Sequence, residues 1–199
     1  MWKPALWNLV FFAVLAWSGI HPKDLLTWFL EVVPALIGFV LMALTWKMFR
    51  LTGLLYVLIL LHCIVLMVGG HYTYAEVPLF DWLKPIMGFE RNNYDKVGHF
   101  MQGFVPAILA REILLRKQVV NGNGWRNYLI VSICLAFSAF YELIEWWVAL
   151  LSAEASDAFL GTQGYVWDTQ SDMALALLGA VVALMTLTRW HDRQLQARA

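Results

Sequence analysis

Three pairs of ionisable residues stand inside otherwise apolar stretches of this chain: Asp95 with His99, Glu142 with Glu145, and Asp168 with Asp172. Spacings of three or four residues put both members of each pair on one helix face. Gln102 continues the Asp95–His99 stripe, and His71 and Glu76 follow the end of another apolar run. Ionisable groups within spans are costly and gather where a bundle interior does chemistry. Five carboxylates cannot all stay charged and unpaired in a low dielectric. Protonation, pairing with Lys96 or Arg91, or a divalent metal would neutralise them. Carboxylates with a histidine suit Zn²⁺, Mn²⁺, Mg²⁺ or Fe without selecting among them. The pattern assigns Asp95, His99, Glu142, Asp168 and Asp172 as metal ligands. Glu145 is then a general base for a metal-activated water, and His71 a ligand or general acid. Exchanging Glu142 with Glu145 fits equally well. The expected substrate is an envelope lipid or a lipid-linked group entering from the outer leaflet. Three other readings compete: a hydrogen-bonded plug without a ligand, a proton- or ion-coupled carrier titrating at Glu142 and Glu145, and a non-catalytic partner in envelope assembly.

Other polar residues carry less. His62 is a lone histidine in an apolar helix, read as a hydrogen-bonded core residue. His21 lies in a short outer loop. His191 lies in the cytoplasmic tail beside Arg189 and Arg193, away from the three pairs. Glu31 is either interfacial or a further member of the group. Neither Ser138 nor Ser171 stands in a nucleophile elbow. Cys63 and Cys134 sit in apolar runs and read as core or lipid-facing residues.

The elements that must hold these groups are membrane helices. Of 199 residues, 61% are hydrophobic and 14% charged, and mean hydropathy is +0.63. A soluble domain carries about 25% charged residues. The composition excludes a disulfide scaffold, a disordered chain and an ordinary cytosolic enzyme. Lys+Arg 14 balances Asp+Glu 14, so no basic field attracts nucleic acid. Six apolar runs, near 5–20, 25–46, 51–70, 96–115, 127–150 and 169–189, predict a single all-α, polytopic domain over 1–199: a bundle of six transmembrane helices. The first run is read as an uncleaved helix, because Trp17 and a single positive charge fit a signal peptide poorly.

Lys3, Lys47, Arg50, Arg111, Arg116, Lys117, Arg126, Arg189, Arg193 and Arg198 fall on one side of this layout. Lys23, Lys84, Arg91 and Lys96 fall on the other. The positive-inside rule then puts both termini in the cytoplasm and the polar pairs toward the periplasm. The loops 71–95 and 151–168 face outward, and the second holds no Lys or Arg. The 71–95 loop exceeds the usual connection length and should be structured. Its segment from Val77 to Ile86 mixes apolar and charged residues with Trp82. It fits equally a helix lying on the outer membrane face and a lid over the helix ends. Trp146 and Trp147 fit an interfacial aromatic belt.

Four runs carry a family resemblance: Gly70-His71-Tyr72-Thr73-Tyr74, Asp95-Lys96-Val97-Gly98-His99-Phe100, Tyr141-Glu142-Leu143-Ile144-Glu145-Trp146, and Gly161-Thr162-Gln163-Gly164 through Trp167-Asp168-Thr169-Gln170-Ser171-Asp172. Over most of its length the chain resembles the bacterial YjdF family of inner-membrane proteins, a domain of unknown function. That resemblance implies a location, the bacterial inner membrane, and no reaction. A more distant likeness is to VanZ-like membrane proteins, which order a Lys-x-x-His-Phe element, an acidic helix and an aspartate pair as Lys96, His99 and Phe100, then Glu142 or Glu145, then Asp168 and Asp172. The chain lacks the arginine those proteins carry before the aspartates, so no anion contact is implied there. The likeness implies a shared outward-facing site linked with the cell envelope.

Overall fold

The computed structural model describes residues 4–151 and 165–198. They contain seven α-helices and no strand: α1 (Pro4–Ser18), α2 (Leu25–Thr45), α3 (Gly53–His71), α4 (Pro78–Met87), α5 (Tyr94–Arg116), α6 (Asn123–Leu151) and α7 (Asp168–Gln196). Most of the 151–168 loop, with the Gly161-Thr162-Gln163-Gly164 run, lies outside the described residues.

A helix stands at each of the six apolar runs, but only α2, α3, α6 and α7 are long and apolar enough to cross a membrane. The six-span expectation is met only to that extent. The two shortfalls have different causes. α1 has 15 residues, a rise of about 22 Å against a hydrocarbon core of about 30 Å. α5 has 23 residues and is long enough, but it carries Asp95, Lys96, Arg111, Glu112 and Arg116.

The described helices divide into two compact units. The first comprises Met1–Arg50, Leu60–Gly98 and Glu145–Val166; the second comprises Leu51–Ile59, His99–Ile144 and Trp167–Ala199. In the first unit, Trp7, Phe11 and Phe39 stack with ring centroids 5.0–6.1 Å apart, joining α1 to α2. Asp24 caps α2 by accepting the Thr27 amide at 2.7 Å, satisfying a donor that every helix start leaves open. The Thr27 amide holds the Asp24 carboxyl below its ordinary pKa of 3.8, because the bond favours the carboxylate.

In the second unit α5 and α7 meet through small residues. A Cβ added at Gly103 would lie 1.7 Å from the Ala176 carbonyl oxygen, and one at Gly179 would lie 2.1 Å from that of Phe100. Only hydrogen at these two positions permits the approach. Ala176, Ala180 and Ala183 are fully buried along the same helix. This contact holds the middle turns of α5 and α7 side by side.

The opposite end of this unit corrects the sequence reading. His191 is not in a tail beyond the bundle: α7 runs on to Gln196, and His191 is fully buried. Its Nδ1 lies 2.9 Å from an Arg111 nitrogen and its Nε2 lies 3.1 Å from Glu112 Oε2. A guanidinium can only donate. Nδ1 therefore accepts, and the ring proton sits on Nε2 and is donated to Glu112. Glu112, also fully buried, accepts further from the Thr52 amide at 3.1 Å, the Thr52 hydroxyl at 2.7 Å and Arg116 at 2.8 Å. Gln194 accepts from the Leu54 amide at 2.9 Å. The amides at the α3 start, Thr52 just before it and Leu54 within it, are thus satisfied by side chains from α5 and α7. This end of the second unit therefore holds a hydrogen-bonded network joining Thr52, Arg111, Glu112, Arg116 and His191.

Candidate functional site

The second unit gathers one histidine and two acids from three helices. His99 comes from α5, Glu142 from α6 and Asp172 from α7, and they are 6%, 8% and 4% exposed. The His99 ring lies between the two carboxylates. Nδ1 is 3.8 Å from Glu142 Oε1 and Nε2 is 3.8 Å from Asp172 Oδ2. Gln102 Oε1 also faces Nδ1, at 3.3 Å, and Tyr141 meets the ring edge to face at 6.4 Å. The local sequence explains the placement. Gly103 and Gly179 bring α5 against α7, while Cys134 Sγ reaches the Gly103 carbonyl at 3.5 Å and brings α6 alongside.

At 3.8 Å neither carboxylate makes a hydrogen bond to the ring. Both lie within ion-pair reach. A tetrahedral zinc would set its nitrogen and oxygen ligands about 3.4 Å apart, so a ligand pair here must close by about 0.4 Å, which a small side-chain rotation supplies. Histidine and acidic groups that could hold a metal are thus present in the protein. One ion binds one imidazole nitrogen, and the other nitrogen then donates its proton to an acceptor that orients the ring. Nδ1 already has an acceptor in Gln102 Oε1. Nε2, facing Asp172, is the nitrogen whose lone pair this leaves for an ion.

The remaining expected residues are placed as follows. Asp168 is 3% exposed and stands one turn before Asp172 on α7, in the same unit. Asp95 stands one turn before His99 on α5, belongs to the first unit, and pairs with Arg91 at 3.6 Å. Glu145 follows Glu142 by three residues on α6 and is half-buried, also in the first unit. His71 ends α3 in the first unit. Its Nδ1 donates to the Ser18 carbonyl at 2.9 Å and its ring packs on Trp17 at 4.7 Å, which leaves Nε2 for other chemistry. Glu31 is 8% exposed within α2, and Cys63 and Cys134 are free and buried.

Sequence reasoning missed Tyr141 as a neighbour of His99, although its place beside Glu142 was a usable signal. It also passed over Ser138 as more than a paper nucleophile. Ser138 is fully buried one turn before Glu142, and its hydroxyl has no hydrogen-bond partner among the described residues.

Residues 4–193 match the family described as predicted membrane protein (DUF2238). The chain is 50% identical over 197 residues to the inner membrane protein YjdF of Escherichia coli (strain K12), a match covering 98% of this chain and 94% of that protein. No solved structure matches. The YjdF-type resemblance is borne out; the VanZ-like one is not shown by these matches.

Proposed function

The chain belongs to the DUF2238 family of predicted membrane proteins, and from that premise we propose that it is a multi-pass inner membrane protein whose His99 cluster binds a divalent metal at the periplasmic side. The His99 ring lying between two buried carboxylates at 3.8 Å is the observation that carries this reading. His99 Nε2 and Asp172 are the ligands the geometry favours, and Asp168, one turn before Asp172 on α7, stands behind them. Gln102 orients the ring through Nδ1 at 3.3 Å, with the Glu142 carboxylate 3.8 Å away on the same side. Asp95, Glu145 and His71 belong to the first unit and are left out of the ligand set. Six spans with both termini in the cytoplasm put the cluster near the outer surface, following the Lys and Arg asymmetry. A metal held there would polarise a phosphoryl or carbonyl oxygen of an envelope lipid or a lipid-linked group.

The second reading rests on the same distances: a positively charged His99 bridging two carboxylates with no ion. Elemental analysis of detergent-purified protein, prepared without chelator, separates them. The metal reading expects about one equivalent in the wild type, lost in His99→Ala and Asp172→Asn. It expects retention in Glu142→Gln with about 10- to 100-fold weaker affinity. Well-folded wild type that takes up no Zn²⁺, Mn²⁺, Mg²⁺ or Fe²⁺ overturns it in favour of the ion-pair plug.

A further inference from the structure

The α3–α5 connection holds a helix that the cluster does not use. In α4 no residue is buried. Leu79, Trp82 and Ile86 are 59%, 64% and 61% exposed. At 3.6 residues per turn these three fall within an arc of about 60°, and Asp81 and Lys84 fall on the opposite side. The rest of the helix is held firmly. Phe80 packs on the Tyr94 ring at 5.3 Å, against a small core of Tyr74, Val77 and Tyr94. Asn92 donates to the Val77 carbonyl at 2.9 Å and to Asp81 at 3.1 Å. The Tyr94 hydroxyl reaches the Val65 carbonyl on α3 at 3.0 Å. Gly88, at φ 69°, closes the helix with its amide on the Lys84 carbonyl, a left-handed cap that glycine adopts without strain.

We infer that α4 is an interfacial helix whose Leu79–Trp82–Ile86 face is seated in the headgroup and acyl boundary of the outer leaflet. Three observations choose lipid over a protein partner. α4 is tied to the last turns of α3, a helix apolar enough to span, and to the first turn of α5, so the chain itself brings it to the level where helices leave the bilayer. α3 itself exposes apolar side chains, Leu61 at 48%, as a helix facing acyl chains does. Its centre is a tryptophan, the side chain that prefers this boundary, with charges on the reverse side. The helix thereby fixes the depth of the α3 and α5 outer ends, and this holds whether or not the cluster binds metal.

Site-directed spin labelling tests the assignment. Single cysteines are placed at 79, 82 and 86, and at 81 and 84, in a Cys63→Ala, Cys134→Ala background of the full chain in phosphatidylethanolamine–phosphatidylglycerol vesicles. Labels at 79, 82 and 86 should collide several-fold more with oxygen, which concentrates in lipid, than with a water-soluble nickel chelate. Labels at 81 and 84 should show the reverse. Higher nickel than oxygen accessibility at 82 and 86 puts the face in water and overturns the proposal. So does low accessibility to both reagents, which means protein covers the face, or dipolar broadening between labels, which means a second copy does. Variants that fail to insert are replaced by Leu79→Gln and Ile86→Gln read by the label at 82 alone; loss of its oxygen accessibility supports the assignment, and an unchanged value overturns it.

Discussion

Replacing Glu112 by leucine should destabilise the second unit by about 3–5 kcal/mol, the scale for removing one partner of a buried charge network. The structure shows where that cost arises. Leucine fills the space of the carboxylate and strands the donors aimed at it. Arg116, with a side chain 31% exposed, turns to water at little cost. The Thr52 amide and His191 Nε2–H are buried, and each stranded donor costs about 1–3 kcal/mol. Arg111, 2% exposed, does not bond Glu112; its pair with Asp192 at 2.7 Å survives the change. Arg116→Ala, which breaks an i,i+4 pair at the edge, should cost about 0.5 kcal/mol. The assay follows from the cysteines. Both are buried, so a thiol-reactive dye reports unfolding, and in a Cys63→Ala background it reports Cys134 in the second unit. For a chain of this length, about 2–4 °C per kcal/mol puts the Glu112→Leu midpoint roughly 6–20 °C below its parent. A midpoint within a degree or two of the parent, or an equal drop for Arg116→Ala, would refute the reasoning.

Other outcomes follow from the packing and the caps. Gly103→Ala should cost at least about 1–3 kcal/mol by overpacking, because its Cβ falls 1.7 Å from the Ala176 carbonyl. Gly124→Ala, with nothing within 4 Å, should be neutral or slightly stabilising; melting in the same assay compares them. Asp24→Ala should cost about 1 kcal/mol at the α2 start, read as faster hydrogen exchange of the Thr27 amide. Because the folded pKa of Asp24 is lowered, its contribution is present above the ordinary value of 3.8 and is lost as pH falls through the lower folded one. The difference in Thr27 exchange between wild type and Asp24→Ala should therefore shrink in acid and stay constant between pH 5 and 7.

Apolar runs located every long helix, because burial in lipid imposes uninterrupted apolar stretches. The spacing of Asp95, His99, Glu142, Glu145, Asp168 and Asp172 revealed helix faces for the same reason. Which residues face one another was not legible. His99 has Glu142 on one nitrogen and Asp172 on the other because Gly103 and Gly179 set the α5–α7 approach, and no local pattern encodes that. The Glu112 network was hidden more thoroughly. The bonded pairs Thr52–Glu112, Glu112–His191 and Leu54–Gln194 lie 60, 79 and 140 residues apart, and the basic run around His191 reads as an orientation signal. The sequence presents α5 as a plain span because its apolar residues outweigh its charges on average, while those charges cluster at its two ends.

X-ray absorption at the edge of whichever metal the purified protein takes up, wild type beside His99→Ala, reads the His99 site itself. A metal at His99 gives a first shell of nitrogen and oxygen at about 2.0–2.2 Å with the multiple scattering of one imidazole, and the variant loses that imidazole signature. A wild-type spectrum with no imidazole, or one that His99→Ala leaves unchanged, would contradict metal binding at His99.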